Sequence, residues 1–295
     1  FTTGIIPATS LSVNGIDIGR GLAAVATNTV VGNSALDANT SGARNVAIGY
    51  ETLGANTEGS DNTAIGYDAL SSNTTANNNT AVGNDALREN TTGGNNTALG
   101  ESTLTNNTTA DRNTGVGYGA LYANTTGSRN TAVGNNSLLS NTTGLRNVAV
   151  GDGALQLGTS IQYNTAVGYA ALYNNTAGNN TAVGYAALLS NTSGSNNVAL
   201  GSEALDANTT GSNGTALGYQ ALTNSTGSSN TGVGAEALLS NTSGYQNTAL
   251  GSDALRSNTT GNNNVAIGHQ SVETNTEGGS DTAIGRRSLF SNTTG

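Results

Sequence analysis

The sequence contains no cysteine, methionine or tryptophan, and only one proline and one histidine among its 295 residues. All nine basic residues are arginine, 9% of residues are charged and 4% are aromatic. Without cysteine, and with His269 as the one histidine, Cys/His zinc sites, haem and thiolate chemistry are excluded. A Ser–His–Asp triad would depend on that single histidine. We therefore expect no enzyme activity, no cofactor and no metal.

The charge balance and the lack of long apolar runs exclude two further partners. The net charge is −9, from nine arginines against 18 acidic residues, so no basic patch is available for a phosphate backbone. We expect no nucleic acid partner. No apolar run approaches the length of about 18 residues that a membrane span needs, so we expect no membrane insertion in this segment. The missing initiator methionine indicates a processed or partial chain, and no signal peptide is recognisable.

What the sequence does contain is one short repeat. Aligned on the glycine of segments such as residues 180–184 (NTAVG), 13 of 15 intervals are 17 residues long and two are 16. The consensus is N-T-A-[VIL]-G-x-x-[AST]-L-x-x-N-T-[TS]-G-x-x, and sixteen copies fill nearly everything after residue 27. A composition rich in Asn, Thr, Gly and Ser usually indicates disorder, but a fixed period indicates a solenoid.

Each repeat predicts two short strands and two turns. In residues 180–183 the β-branched side chains stand at alternate positions, and Gly184 then ends this pattern. The segment therefore predicts a short strand that enters a turn. Ala187 and Leu188 form a second short apolar stretch, and residues 191–194 (NTSG) have turn chemistry. Helix is disfavoured because Gly and Asn recur every few residues. The sequence therefore predicts an all-β fold, a parallel β-solenoid of about sixteen 17-residue rungs.

The chain divides into an N-terminal adaptor or cap segment, residues 1–27, and a repeat shaft, residues 28–295. The first segment has the densest apolar alternation, and residues 13–16 (VNGI) predict a hairpin with a two-residue turn. The last residues, 292–295 (NTTG), lie in the middle of a repeat. Because solenoids normally need caps at exposed ends, we expect the natural protein to continue, with a further head or tip domain.

An asparagine stands four residues before the reference glycine in 14 of the 16 repeats. We interpret this column as a structural ladder, in which side-chain amides bond along the axis and cap the turn, rather than as a ligand site. The exceptions, Gly214 and Asp281, suit the same turn. The ladder consists of Asn28, Asn45, Asn62, Asn79, Asn96, Asn113, Asn130, Asn147, Asn164, Asn180, Asn197, Asn230, Asn247 and Asn264.

A second column lies four residues after the glycine and is apolar in every repeat. It is either the interior of the coil or a face shared with another chain, with a ligand groove as a third option. Each rung has only about four apolar side chains. At roughly 25 cal/mol per Å² this barely offsets backbone ordering at about 1–2 kcal/mol per residue, so we predict an oligomer. The column is Leu36, Leu53, Leu70, Leu87, Leu104, Leu121, Leu138, Leu155, Leu172, Leu188, Leu205, Leu222, Leu238, Leu255, Val272 and Leu289.

Directly after the glycine, six repeats have tyrosine, whereas the others have polar, small or charged residues. Two interpretations remain open, an ordinary variable surface position and a stripe that contacts sugars. The second would make cell-surface glycans a partner. The tyrosines are Tyr50, Tyr67, Tyr118, Tyr169, Tyr185 and Tyr219.

The NTAVG or NVAIG strand followed by x-x-A-L resembles the repeats of YadA-like trimeric autotransporter adhesin heads. The longer consensus, preceded by residues 12–21 (SVNGIDIGRG), resembles the repeats of bacteriophage tail-fibre and virion-fibre proteins. The resemblance covers essentially the whole chain. It implies a left-handed β-roll, a homotrimer about a three-fold axis and a rigid extracellular fibre shaft. Its partners would be further copies of itself and, at its ends, other virion or surface-fibre proteins.

Three functions follow as expectations. The first is a structural fibre of a virus particle that supports or mediates host-surface attachment, where multiple copies turn weak contacts into avidity. The second is a bacterial surface adhesin or extracellular filament, located on the bacterial cell surface instead of the virion. The third is an ice-binding solenoid, suggested by the repeated threonines, although residues 57–58, 159–160 and 276–277 interrupt their array.

Overall fold

The structure is a computed structural model, which describes residues 10–13, 16–19, 25 and 27–293. The chain is an all-β parallel β-solenoid of about 15 turns of about 17 residues, as the repeat predicts. It forms two compact units, Phe1–Leu145 (unit 1) and Arg146–Gly295 (unit 2).

Short strands recur once per turn in both units. Unit 1 contains β1 (Ser10–Val13), β2 (Ile16–Gly19), β3 (Thr29–Val31), β4 (Val46–Ile48), β5 (Thr63–Ile65), β6 (Thr80–Val82), β7 (Thr97–Leu99), β8 (Thr114–Val116) and β9 (Thr131–Val133). Unit 2 contains β10 (Val148–Val150), β11 (Thr165–Val167), β12 (Thr181–Val183), β13 (Val198–Leu200), β14 (Thr215–Leu217), β15 (Thr231–Val233), β16 (Thr248–Leu250), β17 (Val265–Ile267) and β18 (Thr282–Ile284).

The first two strands form an antiparallel hairpin, which confirms the prediction from residues 13–16. Val13 pairs with Ile16, so the connection contains two residues. Strand β2 then pairs antiparallel with β3, where Ile18 lies opposite Val31. The hairpin therefore covers the edge of the first repeat strand.

Within each unit the repeat strands pair in parallel and in register. Ala64 of β5 lies opposite Ala81 of β6, and Ala182 of β12 lies opposite Ala199 of β13. The middle residue of each strand is buried, whereas the first and third residues are half-buried or exposed in almost every turn. Because side chains alternate along a strand, the column of small residues lines the coil and the Val/Ile/Leu column faces outward.

The prediction of two strands per repeat is wrong, because each repeat forms a single three-residue strand. The Ala-Leu segment is instead a turn, in which Leu70 has a φ of 53° and Asp68 a φ of 54°. Left-handed backbone is disfavoured for leucine, costing roughly 1–2 kcal/mol per residue. The segment still bonds to the next turn: the Leu70 N–H donates to the Ala86 carbonyl at 3.0 Å. Stacking thus holds a conformation that local sequence preference opposes.

The glycine that ends each strand is required by its backbone and by its neighbour. Gly100 has a φ of +136°, and a Cβ added there would lie 2.7 Å from the carbonyl oxygen of Gly117 in the next turn. Almost no residue with a side chain adopts this backbone conformation. The invariance of this position within the repeat therefore follows from the close approach of successive turns.

The two 16-residue repeats lose their residue in a surface turn without changing the strand register. Thr165 still lies opposite Thr181, and Thr215 lies opposite Thr231. The Asn180 N–H still donates to the Asn164 Oδ1 at 2.9 Å, across 16 residues instead of 17. The turn therefore absorbs the deletion, while the interior keeps its geometry.

Candidate functional site

The predicted asparagine ladder lies inside the coil, and its side chains bond to successive turns. Asn96 is fully buried, and its Nδ2 donates to the Ala110 carbonyl at 2.8 Å. Its Oδ1 accepts the N–H of Asn113 in the next turn at 2.9 Å. The same pair of bonds recurs at Asn45, Asn180 and Asn247. Each amide therefore satisfies one backbone carbonyl and one backbone N–H that burial would otherwise leave unpaired.

A second asparagine ladder, in the N-T-[TS]-G turn, was missed by the sequence reasoning. Asn56 is fully buried; its Nδ2 donates to the Asn39 Oδ1 at 3.2 Å and to the Gly59 carbonyl at 3.0 Å. The signal was an asparagine seven residues after most reference glycines, but a turn sequence usually indicates a solvent-exposed loop. Its members in unit 1 are Asn39, Asn56, Asn73, Asn90, Asn107, Asn124 and Asn141.

The threonine that follows the second ladder adds a column of hydroxyl groups. The Thr57 Oγ1 donates to the Thr74 carbonyl at 3.1 Å, and Thr74 repeats the bond to Thr91 at 3.1 Å. These hydroxyl groups bond to the chain itself. They are thus part of the turn structure instead of a free threonine array.

The leucine column is the interior of each unit and not a face for another chain. Members from Leu36 to Leu255 have at most 2% exposure in a single chain, and Val272 is fully buried. Leu289 is the exception, at 48% exposure. Of the three alternatives that the sequence left for this column, the interior of the coil is therefore the correct one. Any apolar face for association must lie elsewhere.

The outward residues at the third position of the strands form an aliphatic column in each unit, and its members are exposed or half-buried. In unit 1 it includes Ile48, Ile65 and Leu99, with exposures of 36%, 36% and 38%. In unit 2 it includes Val183, Leu200 and Leu250 among others, with exposures of 36%, 39% and 45%. Contiguous exposed apolar surface of this kind marks interaction sites. We refer to the third residues of β3–β18 as the aliphatic column.

The predicted tyrosine column lies on the surface, as both of its interpretations require. Its six members are 42–57% exposed. Where adjacent turns both have tyrosine the rings stack, with centroids 5.2 Å apart for Tyr50–Tyr67 and 5.5 Å apart for Tyr169–Tyr185. In each stacked pair, one face of each ring is covered by the other ring. Tyr118 has Glu101 and Asn135 at the same position in the adjacent turns, so its ring lacks such a partner.

Acidic residues occupy the left-handed position two residues after the glycine in three successive turns. They are Glu51, Asp68 and Asp85. Burial, together with the charges of Glu51 and Asp85, raises the pKa of the Asp68 carboxyl above its ordinary value. The Asp68 Oδ1 is buried without a hydrogen-bond partner in the described chain. Elsewhere, the bond from Arg44 at 2.6 Å lowers the pKa of Asp61.

The raised pKa of Asp68 predicts a pH-dependent gain in stability on replacing Asp68 with Asn. Protonation favours the folded wild-type state, so its stability rises as pH falls through the raised pKa to the ordinary value. We expect D68N to be more heat-stable than wild type at neutral pH, and the difference to shrink as the pH falls from the raised pKa to the ordinary value. Thermal unfolding followed by circular dichroism across this pH range measures it. E101Q removes an exposed charge as the control; an unchanged difference at all pH values would contradict the burial argument.

The histidine and the C-terminal arginines do not converge on a reactive group. The His269 Nε2 lies 3.8 Å from the Asp253 Oδ2, and the Arg287 Nε donates to the Gln270 Oε1 at 2.9 Å. Among the described residues there is no group of three His, Asp or Glu side chains that could hold a metal ion. Across the same residues, no helix is long and apolar enough to cross a membrane.

The fold and the ladders together define the class: this is a β-solenoid repeat protein. No known protein family matches the chain, and no curated protein sequence matches it.

Proposed function

We propose that the chain is a structural fibre protein of a virus particle, whose homotrimeric shaft supports or mediates attachment to a host surface. The observation that carries the proposal is the aliphatic column. Its side chains are exposed or half-buried along each unit of a single chain, whereas monomeric soluble proteins rarely expose a large contiguous apolar patch. Burying this column between chains also adds the apolar area that the thin interior lacks.

The interior supports a mechanical role. Two asparagine ladders and one threonine column bond each turn to the next within a unit. These bonds lie alongside the strand pairing. The asparagine side chains Asn56 and Asn96 are buried, and the side chain of Thr57 is half-buried. Every turn therefore has several independent links to its neighbour, which is the property that a load-bearing element needs.

The resemblance of the N-T-A-[VIL]-G repeat to virion-fibre proteins supports the virion setting, and its resemblance to adhesin heads supports the alternative. A bacterial surface adhesin would use the same trimeric shaft on the cell surface. The setting can be tested by genomic context: neighbouring baseplate or fibre-chaperone genes favour the virion, whereas a membrane-anchor barrel or coiled-coil stalk in the same gene favours the adhesin.

The association prediction is tested by placing charges on the aliphatic column. We expect the wild-type chain to have three times its monomer mass in multi-angle light scattering, and the triple variant I48D/I65D/L99D to be monomeric. Burying three unpaired carboxylates between chains would cost far more than the contacts contribute. Circular dichroism establishes that each variant is folded.

The matched control places the same three charges on another exposed face of unit 1. T92D/T109D/T126D changes exposed threonines of successive turns and should leave the trimer mass unchanged. A wild-type chain that remains monomeric, or a control that dissociates as completely as the column variant, would contradict the proposed interface.

A further inference from the structure

A surface cavity interrupts the tyrosine side of unit 1. Its volume is about 640 Å³, which is within the range of small-molecule sites. Its wall consists of two tyrosines, two serines, an asparagine, a leucine, an alanine and a glycine. The lining is Ser102, Tyr118, Gly119, Tyr122, Ala123, Asn136, Leu139 and Ser140.

The cavity is lined by a glycine at a repeat position that has a side chain in most turns. Gly119 holds the left-handed position two residues after the reference glycine, with a φ of 63°. The same position holds Glu51, Asp85 and Asn136 in other turns of unit 1. A Cβ added at Gly119 would lie 2.7 Å from the Asn136 Oδ1, so any larger residue would enter this space.

The other glycine at this position provides a contrast within unit 2. A Cβ added at Gly153 would meet two ring atoms of Tyr173, Cδ2 and Cε2, at 3.4 Å. An aromatic ring from the following turn thus covers Gly153. At Gly119 the corresponding residue of the following turn is Leu139, which approaches with a single methyl carbon at 3.4 Å. The residue of the following turn is therefore an aromatic ring beside Gly153 and an aliphatic side chain beside Gly119.

The walls combine aromatic surface with neutral hydrogen-bonding groups. Tyr118 is 55% exposed and Tyr122 is 40% exposed. The amide of Asn136 and the hydroxyl groups of Ser102 and Ser140 provide donors and acceptors, and none of the lining residues is charged. Aromatic rings pack against apolar C–H surface, and their polar edges remain available for hydrogen bonds.

We propose that this cavity binds one neutral pyranose unit of a glycan. A pyranose has an apolar C–H face for a tyrosine ring and hydroxyl groups for the Asn136 amide and the two serines. An anionic sugar lacks a cationic partner in the lining and would meet a chain of net charge −9. For its biological meaning the inference rests on the proposed attachment function, since the cavity would be the part of the fibre that contacts the host surface.

The test is saturation-transfer difference NMR of the full chain with four separate probes: glucose, galactose, mannose and N-acetylglucosamine. We expect at least one to receive saturation, and Y118A to weaken its binding at least about fivefold. G119Q should abolish binding by filling the cavity. Glutamine is compatible with the backbone there, because Gln220 has a φ of 53° at the same position of another turn.

Two matched variants control the test. G153Q makes the same change at the glycine that holds this repeat position in unit 2, and Y219A removes a tyrosine from the same column of another turn. Both should bind like wild type. Absence of transfer from all four sugars, or equal binding by G119Q and wild type, would overturn the inference. Light scattering of the same samples separates the two proposals: trimers without sugar binding contradict only the cavity site, and sugar-binding monomers contradict only the fibre.

Discussion

Replacing Asn96 with alanine is expected to destabilise unit 1 by about 2–6 kcal/mol, because two buried backbone groups lose their partners at about 1–3 kcal/mol each. These groups are the Ala110 carbonyl and the Asn113 N–H, both bonded by the Asn96 side chain. Hydrogen–deuterium exchange of residues 90–115 is the appropriate measurement, since repeat arrays need not unfold in a single step. We expect amides here to lose protection while the rest of the chain remains protected.

The control for this prediction is N135A, which removes an exposed asparagine from the surface position after a reference glycine. Exposed substitutions of this kind usually change stability by no more than about 0.5 kcal/mol. If both alanine variants exchange alike, the Asn96 ladder contributes nothing beyond the backbone, and the structural interpretation of the column is wrong.

Replacing Gly100 with alanine is expected to cost about 3 kcal/mol or more, because strained backbone and steric overlap act together. The φ of +136° is unsuitable for alanine, and the atom closest to the new Cβ is the Gly117 carbonyl oxygen at 2.7 Å. That oxygen belongs to the backbone of the next turn, so it cannot move without disturbing the stack. Urea denaturation monitored by circular dichroism should show loss of a cooperative segment at lower denaturant concentration.

Gly54 provides the comparison within the same unit. Its φ lies outside the left-handed region, and its closest neighbour to an added Cβ is the Glu51 carbonyl oxygen at 3.2 Å. G54A should therefore stay within about 1 kcal/mol of wild type. Equal losses for G100A and G54A would mean that alanine is poorly tolerated at any glycine here, and that the stacking argument is not specific.

The repeat period was sufficient to predict the solenoid, because stacking of successive 17-residue repeats places equivalent residues above one another in buried columns. It predicted the Asn96 column and placed a leucine in every turn except that of Val272. It could not decide whether that leucine faced inward, because an apolar column suits an interior and an interface equally well. The burial of Leu104 in a single chain decides this point.

The missed features depend on contacts between turns that local preferences do not encode. Leucine disfavours left-handed backbone, so Leu70 gave no signal of its φ of 53°. Asn56 lies in a sequence typical of exposed turns, yet the stacked amides bury it completely. The cavity beside Tyr118 is lined by residues of three successive turns, among them Ser102, Gly119 and Asn136, and this combination has no sequence motif.

The exceptions to the repeat have a consequence for folding. If every turn were identical, a chain paired one copy out of place would recover nearly all of its hydrogen bonds, and nothing would distinguish the correct alignment from its neighbours. The buried Ile161, whose Cδ1 lies 2.6 Å from a Cβ added at Gly158, packs beside a glycine at a repeat position where most turns have asparagine. The antiparallel hairpin that pairs with β3 and the two 16-residue repeats also differ from the regular repeat. These irregular positions therefore favour one register of the turns over registers shifted by a whole repeat.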